Sequence, residues 1–177
     1  MNYRIAYLLE GEPKKYAEKL IKDVAKKFKV NFVYSGKQPV HITLKYRFET
    51  KDIKKVENII SEICKETKVS NIKVGGIGSF GKSVLLLKVK PSKDMVKFEK
   101  KLIKKLNNLK GDLSKFDKAL YKSFHVGIAH HDIEDKFGEI KDYLKHHDKI
   151  FNVKFDKVYL IRKPKNRWIV HKEFKLK

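Results

Sequence analysis

The chain has 177 residues, and its 43 lysines and arginines against 21 aspartates and glutamates give a formal net charge of +22 at pH 7. Hydrophobic residues make up 41% and charged residues 36%, which allows a core and excludes both a membrane protein and a wholly disordered chain. The length is typical of one domain, so we expect a single domain over residues 1–177. Such a basic surface indicates a partner that carries phosphates, although lysine-rich surfaces also arise from genome bias or heat adaptation.

The cysteine content and the amino terminus indicate the compartment. The single cysteine, Cys64, excludes an internal disulfide and a cysteine-based zinc site. Residues 1–10 form a short apolar run without a small-residue cleavage site, and no later stretch approaches the length of a membrane span. We therefore expect a soluble, cytoplasmic protein that does not contact a membrane.

The first part of the chain predicts alternating strands and helices. A strand is expected over residues 3–9, followed by a helix over 13–28, and then by a turn at 35–36. Alternating apolar residues predict a second strand over 41–48. Thr50 is expected to cap the next helix. The inward stripes of these two helices are Tyr16, Leu20, Val24 and Phe28 in the first, and Ile53, Val56, Ile60 and Ile63 in the second.

The middle of the chain predicts two strands and a third helix. The strands are expected over residues 69–74 and 83–90, with a glycine-rich turn over 75–81 between them. Ser92 is expected to cap a helix that ends before Gly111.

The last part predicts a short strand over residues 124–129 and a fourth helix that begins at Asp132. Two final strands are expected over 151–161 and 168–174, joined by a basic turn over 162–167. Strands and helices alternate along the whole chain, without a flexible linker, which predicts one α/β or α+β domain.

Two of the predicted strands carry a similar histidine motif. His41 and Thr43 are two residues apart, as are His125 and Gly127, so each pair lies on one face of its strand. Two imidazoles that flank a phosphate can act as acid and base near neutral pH, because an unperturbed histidine has a pKa of about 6.5. From periodicity alone, these residues are equally consistent with ordinary polar positions on edge strands.

The sequence around these motifs resembles a known family. Residues 40–46 (Val-His-Ile-Thr-Leu-Lys-Tyr) and 124–129 (Phe-His-Val-Gly-Ile-Ala) resemble the two signatures of the two-histidine phosphoesterase superfamily, specifically the LigT-like RNA 2',3'-cyclic phosphodiesterases, also called 2'-5' RNA ligases. Residues 76–80 resemble the glycine-rich segment between those signatures. The resemblance implies a bilobal α/β (α+β) fold, in which two pseudo-symmetric halves with antiparallel sheets line a central cleft and the helices lie outside.

The resemblance also implies an activity and a role for each motif residue. His41 would donate a proton to the leaving ribose oxygen, and His125 would activate water against a terminal 2',3'-cyclic phosphate, giving a 2'-phosphate. Thr43 would donate its hydroxyl to a non-bridging phosphate oxygen. No metal or cofactor is implied. The expected partners are oligonucleotides or tRNA fragments with 2',3'-cyclic phosphate ends, the reverse 2'-5' ligation is allowed by the same chemistry, and we expect a monomer.

The second motif departs from the family pattern at Gly127, where the family has a second hydroxyl. We expect the activity to persist at a reduced level, so that Gly127→Ser raises turnover. The alternatives are an RNA-binding module without turnover and a phosphodiesterase that acts on small cyclic nucleotides. The missing hydroxyl could be replaced by a backbone N–H group at this glycine, or by the side chain of Ser123, Lys122 or Tyr121.

Basic residues near the motifs are candidate RNA contacts. Lys45 and Arg47 are expected on the face of the strand that carries His41, at the rim of the cleft. Arg162 and Lys165, in the basic turn, are expected to contact RNA. The neighbouring aromatic residue, Trp168, is expected to be buried rather than to stack on a base.

Two other patterns resemble binding sites and are rejected. Residues 76–81 spell the dinucleotide-binding pattern Gly-x-Gly-x-x-Gly, but a strand follows them where that motif requires a helix. The pairs at 130–131 and 146–147 are His-His, without a companion set of metal ligands, and are expected to be exposed to solvent.

Overall fold

The computed structural model describes residues 1–36, 38–107, 117 and 123–177. Within these residues the chain forms eight strands and five α-helices. The strands are β1 (Asn2–Leu8), β2 (His41–Glu49), β3 (Ser70–Phe80), β4 (Val84–Lys90), β5 (His125–His130), β6 (Ile150–Phe155), β7 (Lys157–Lys163) and β8 (Ile169–Lys175). The helices are α1 (Gly11–Phe28), α2 (Phe32–Ser35), α3 (Ile53–Glu66), α4 (Lys93–Asn107) and α5 (Phe137–Leu144).

The strands form two antiparallel four-stranded sheets. The first sheet has the order β2-β1-β7-β8, and the second has the order β5-β4-β3-β6. Each histidine strand is therefore an edge strand, and β2 and β5 contact each other. The predicted fold class is confirmed, but the lobes are not the two halves of the chain, because the first sheet combines strands from both ends of the chain.

Most residues of the predicted apolar stripes of α1 and α3 are buried, while Tyr16 and Ile53 are half-buried against the core. In α1, Leu20, Val24 and Phe28 lie in the core, and in α3 the same holds for Val56 and Ile60. One cluster of buried apolar side chains includes residues from both sheets and from these helices. The two sheets therefore share a continuous core, which limits how far the two histidine strands can move apart.

The predicted strand over 151–161 is wrong, because it is two strands in different sheets. β6 ends at Phe155 and pairs with β3, whereas β7 begins at Lys157 and pairs with β1. Asp156 lies between them, and its carbonyl oxygen accepts a hydrogen bond from the N–H of Leu176. Asp156 and Lys157 are consecutive polar residues and four apolar residues follow them, so the alternation of β6 stops at this junction. The prediction overlooked this break in the pattern.

The glycine-rich segment is not the predicted turn, because β3 continues through it to Phe80. Gly75 has a φ of +143°, and a Cβ there would collide with the carbonyl oxygen of Lys149. At Gly78 a Cβ would lie 2.9 Å from Cδ1 of Leu86. These glycines permit close approach of neighbouring chain segments. β4 follows them, as expected when the dinucleotide pattern was rejected.

The predicted caps are confirmed for α4 and wrong for α3. Oγ of Ser92 accepts a hydrogen bond from the N–H of Met95 at 3.0 Å. Asp52 is the residue that caps α3, since its Oδ1 accepts from the N–H of Lys55 at 3.1 Å, while Thr50 accepts from the N–H of Asp52. The predicted end of α4 lies outside the described residues.

Asp132 does not begin a helix, since α5 starts at Phe137 after one turn of 3-10 helix. Its Oδ2 instead accepts hydrogen bonds from the N–H groups of Asn31 and Phe32, at 2.6 and 2.9 Å. This carboxylate caps the short helix α2, which packs against β5. Asp132 therefore fixes α2 beside one of the two histidine strands.

The side chain of Lys45 points into the protein, which contradicts its predicted contact with RNA. The residue is 4% exposed, and its Nζ donates a hydrogen bond to Oδ2 of Asp117 at 2.7 Å. Oδ1 of Asp117 also accepts from the N–H of Tyr46. The ammonium is thus used to neutralise a buried carboxylate and is not available to a phosphate.

Among the described residues, no helix is long and apolar enough to cross a membrane.

We predict that Lys45→Met lowers the free energy of unfolding by about 3 kcal/mol, because it leaves the carboxylate of Asp117 buried without a counter-charge. The matched control is Arg47→Met in the same strand, where the side chain is exposed and the change should stay below about 0.5 kcal/mol. Urea denaturation of the two variants measures both values. Equal stabilities would show that the buried ion pair has no structural role.

Candidate active site

The two histidine strands carry the same irregularity at the same position. The pairing of β2 with β1 skips Leu44, and the pairing of β5 with β4 skips Ile128. Each skipped residue is a β-bulge that follows directly on the third residue of the motif, Thr43 in one strand and Gly127 in the other. The burial pattern from the histidine to the sixth residue is also the same in both strands. The two motifs are therefore structural counterparts.

Both imidazoles are oriented by a backbone carbonyl two residues earlier in the chain. Nδ1 of His41 donates a hydrogen bond to the carbonyl oxygen of Pro39 at 2.8 Å, and Nδ1 of His125 donates to that of Ser123 at 2.7 Å. Since a carbonyl can only accept, Nδ1 carries the proton in each ring. In the neutral form of each ring, Nε2 is the nitrogen with the free lone pair.

Arg4, which the sequence analysis did not identify, lies beside His41. Its Nη1 is 2.7 Å from Nε2 of His41 and donates to Oε1 of Gln38 at 3.1 Å. Since a guanidinium has only donors, Nε2 of His41 accepts this hydrogen bond and carries no proton. The signal in the sequence is a single charged residue within the apolar strand β1.

The guanidinium of Arg4 is buried, and no described residue supplies a counter-charge to it. The residue is 9% exposed, and its Cζ lies 4.6 Å from the ring centroid of Trp168, which is buried as predicted. Across the described ranges, no carboxylate lies within ion-pair distance of Arg4, and its Nε has no hydrogen-bond partner. A buried cation in this situation is typical of a site that receives an anion.

The surroundings keep the histidines neutral. Burial, the charge of Arg4 and, to a smaller extent, the charges of His125 and His130 together lower the pKa of His41 to about 3. Burial also lowers the pKa of His125. The three imidazoles and the guanidinium therefore lie within electrostatic range of one another, and both motif histidines are unprotonated near neutral pH.

A cavity of about 330 Å³ opens beside His41. Its walls include Gly127 and His130 from β5, Lys22 from α1 and Tyr34 from α2. Residues of the two motifs thus line the same cavity, although they belong to different sheets. The volume lies at the lower end of the range for small-molecule sites.

The prediction that both residues of the pair 130–131 are exposed is wrong for His130. His131 is exposed, but His130 is half-buried and lines the cavity. Strict alternation along β5 would place residue 131 on the face of Gly127, and the bulge at Ile128 places His130 there instead. In the other pair, His146 is exposed and His147 is half-buried.

Comparison with protein families identifies the chain. The model of the 2'-5' RNA ligase superfamily matches residues 13–167. The chain belongs to this superfamily. The superfamily of 2'-5' RNA ligases and two-histidine phosphoesterases supports an enzyme of the phosphoesterase or RNA-ligase type, as the motifs predicted. A comparison with curated protein sequences gives no significant match.

Solved structures of superfamily members show the same fold. Escherichia coli LigT complexed with 3'-AMP is 14% identical, with a TM-score of 0.63 and coverage of 99% of this chain and 97% of LigT. The protein TT0787 of Thermus thermophilus is 15% identical, with a TM-score of 0.65 and coverage of 99% and 98%. Usb1 of Kluyveromyces marxianus is 12% identical, with a TM-score of 0.50 and coverage of 96% of each chain.

Thr43, Arg47 and Lys165, the next three predicted site residues, differ in their burial and in their position relative to the motif histidines. Thr43 is half-buried on the face of β2 that carries His41, as predicted. Arg47 is exposed, and its charge lowers the pKa of Arg4, so it lies close to the site. Lys165 is exposed in the turn between β7 and β8, and its contact with RNA stays a prediction.

Arg162 lies on the face of the first sheet that is opposite to Arg4, which disagrees with its predicted contact with RNA. It pairs with Tyr3, whose side chain lies in the core, whereas Arg4 pairs with Ile161. Directly paired residues share a face, so Arg162 and Arg4 lie on opposite faces. The basic residue of this turn region that shares the face of Arg4 is Lys163.

Lys88 is a further cation near the site that the sequence analysis missed. It is exposed on β4 and pairs directly with His125. The sequence signal is the alternation of lysines with apolar residues along the second half of β4. Among the described residues, no group of three histidine, cysteine, aspartate or glutamate side chains is arranged to hold a metal ion.

We predict that His41 and His125 both adopt the Nδ1-protonated tautomer near neutral pH, and that His41 stays neutral down to a pH of about 3. Long-range ¹H–¹⁵N correlation spectra distinguish the two ring nitrogens, with His→Gln variants for assignment. In Arg4→Met the pKa of His41 should rise, since one cause of its lowering is removed. An unchanged pKa in that variant, or a protonated Nε2 in the wild type, would contradict the geometry.

Proposed function

We propose that the protein is a metal-independent RNA 2',3'-cyclic phosphodiesterase that opens a terminal 2',3'-cyclic phosphate to a 2'-phosphate. The observation that carries this proposal is the arrangement of His41 and His125 as structural counterparts on contacting edge strands, beside the buried guanidinium of Arg4. Two imidazoles with unprotonated Nε2 atoms can move two protons, and a buried cation offsets the charge of a phosphate.

Arg4 is proposed to bind the phosphate and to change the protonation of His41 as it does so. A phosphate oxygen that accepts the hydrogen bonds of Arg4 removes the donor that now occupies Nε2 of His41. The negative charge of the phosphate also raises the pKa of a nearby imidazole. Phosphate binding thus makes His41 able to carry the proton that its predicted role as the acid requires, although His41 is neutral in the free protein.

The proposed reaction then needs two proton transfers and one displacement. Nε2 of His125 accepts a proton from water as the water oxygen bonds to phosphorus, and the bond from phosphorus to the ribose 3'-oxygen breaks. His41 gives its proton to that 3'-oxygen, while Thr43 donates its hydroxyl to a non-bridging oxygen. With the 5'-hydroxyl of a second RNA in place of water, the same steps form a 2'-5' linkage.

RNA is proposed as the substrate because cations lie at the cavity and on or near the two histidine strands. The phosphates that precede the cyclic end would contact these side chains, which adds binding that a mononucleotide lacks. Lys22 lines the cavity, Arg47 lies near Arg4, and Lys88 pairs with His125. Lys163 lies on the face of Arg4, and Lys165 is exposed in the turn that follows it.

We predict that the protein hydrolyses an oligonucleotide with a 2',3'-cyclic phosphate end in the presence of a chelator. His41→Ala and His125→Ala should each lower kcat by at least about 100-fold, which is the usual contribution of a general acid or base. His146→Ala, at an exposed histidine that does not line the cavity, is the control and should retain activity. The product is identified as a 2'-phosphate by chromatography against both isomers.

The pH profile of kcat tests the division of roles between the two histidines. Wild type should give a bell, because the base must be unprotonated and the acid protonated. His41→Ala should remove the alkaline limb, and His125→Ala should remove the acidic limb. Loss of the opposite limbs would exchange the two roles, and rates near the wild-type rate in either variant would refute the acid–base mechanism.

We predict that an oligonucleotide with a cyclic phosphate end has a higher kcat/KM than 2',3'-cyclic AMP, and that this advantage shrinks as the salt concentration rises. The measurement compares the two substrates at low and high salt. Equal values at every salt concentration would favour a phosphodiesterase for small cyclic nucleotides. Salt-dependent binding of the oligonucleotide without any product would favour an RNA-binding module.

A further inference from the structure

The two motifs are structural counterparts but differ in the residue that precedes the bulge. Thr43 has a hydroxyl on the face of His41, whereas Gly127 has no side chain. A Cβ at Gly127 would contact only one neighbour, the ring of His130, with Cδ2 at 3.7 Å and Nε2 at 4.0 Å. The imidazole of His130 therefore lies next to the position that a side chain at Gly127 would occupy.

The position of His130 is determined by several contacts. Its ring packs against Phe32 of α2 at 5.1 Å and against His131 at 4.8 Å between centroids. Phe32 is itself held by the carboxylate of Asp132, which caps α2. These contacts hold the ring at the wall of the cavity that His41 and Gly127 also line.

The two ring nitrogens of His130 are available for hydrogen bonds to a ligand. The ring makes no hydrogen bond to any of the residues that the structure describes. Burial and the charge of His131 lower its pKa to about 4, so the ring is neutral near neutral pH and has one N–H donor. The charges of His125 and Arg4 also lower this pKa, which places His130 in the same cluster.

The other candidates for the missing donor are less well placed or lie outside the described residues. Ser123 lines a different cavity, of about 650 Å³, next to α4. Lys122 and Tyr121 are not among the described residues. Lys22, Tyr34 and Gln38 also line the cavity and carry donors. Of the described side chains, His130 is the one that a Cβ at Gly127 would contact.

We propose that the N–H group of His130 donates a hydrogen bond to a non-bridging oxygen of the bound phosphate, in place of the side chain that Gly127 lacks. This inference rests on the proposed function, since it assigns a further ligand to the same phosphate. The phosphate would then receive one donor from each strand, Thr43 from β2 and His130 from β5. A neutral donor stabilises the developing charge and leaves proton transfer to the two motif histidines.

The test is a double-mutant cycle with Gly127→Ser, His130→Ala and the combination of both. His130→Ala should lower kcat about 100-fold, the usual effect of removing one donor to a transition-state oxygen. Gly127→Ser should raise kcat only slightly in the wild type but restore most of the loss in His130→Ala, because either residue can supply one donor. The backbone at Gly127 has no positive φ, and the nearest neighbours leave room for a serine.

Controls separate this role from a structural one. His130→Gln keeps an N–H donor and should retain more activity than His130→Ala, whereas His146→Ala removes an exposed histidine that does not line the cavity and should have little effect. Thermal unfolding of each variant confirms that it is folded. Additive effects of the two substitutions, or a His130→Ala variant with normal kcat, would overturn the proposal while leaving the phosphodiesterase activity intact.

Binding of a nucleoside 2'-monophosphate, measured by calorimetry on the same variants, keeps the two proposals distinguishable. If wild type shows no turnover, weaker binding by His130→Ala and its restoration by Gly127→Ser would still support the phosphate contact and refute only the enzymatic proposal. Binding that is the same in all four proteins would refute the contact.

Discussion

The contact between Arg4 and His41 is the interaction on which the site depends. A guanidinium is buried beside an imidazole, with aromatic rings and an amide as its other neighbours and no carboxylate among the described residues. Such a charge costs free energy in the folded protein unless an anion joins it. Because Arg4 donates to Nε2 of His41, this nitrogen carries no proton in the free protein. When a phosphate binds to Arg4, its negative charge favours the protonated form of His41. Binding of the phosphate and protonation of His41 are therefore coupled.

The site also depends on the way in which two sheets share one core. Each sheet contributes an edge strand with a histidine, a bulge and a hydrogen bond from Nδ1 to a backbone carbonyl. The bulge changes which later side chains reach the cavity, and it brings His130 to the face of Gly127. Because of the bulge, the ring of His130 lies next to the space that a side chain at position 127 would occupy.

The local elements follow the sequence closely, and the errors concern pairing partners. The buried stripes of α1 and α3 and the cap at Ser92 obey local rules of periodicity and hydrogen bonding, and they were predicted correctly. The predicted strand over 151–161 was wrong because it ran through the two consecutive polar residues at 156–157, where the alternation stops and the chain changes sheet. The glycine segment was wrong because glycine serves both turns and close packing of extended chain, and only the neighbouring strands distinguish the two.

The sequence by itself determined the two histidine motifs, their shared faces with Thr43 and Gly127, and the fold class, because strand alternation and motif order are local properties of the chain. Tertiary structure decided the rest of the site. Lys45 became part of a buried ion pair, Arg162 took the opposite face from Arg4, and His130 entered the cavity. Each of these outcomes depends on strand pairing, on a bulge or on a partner distant in the chain, and a one-residue shift in a strand reverses the face on which every later side chain lies.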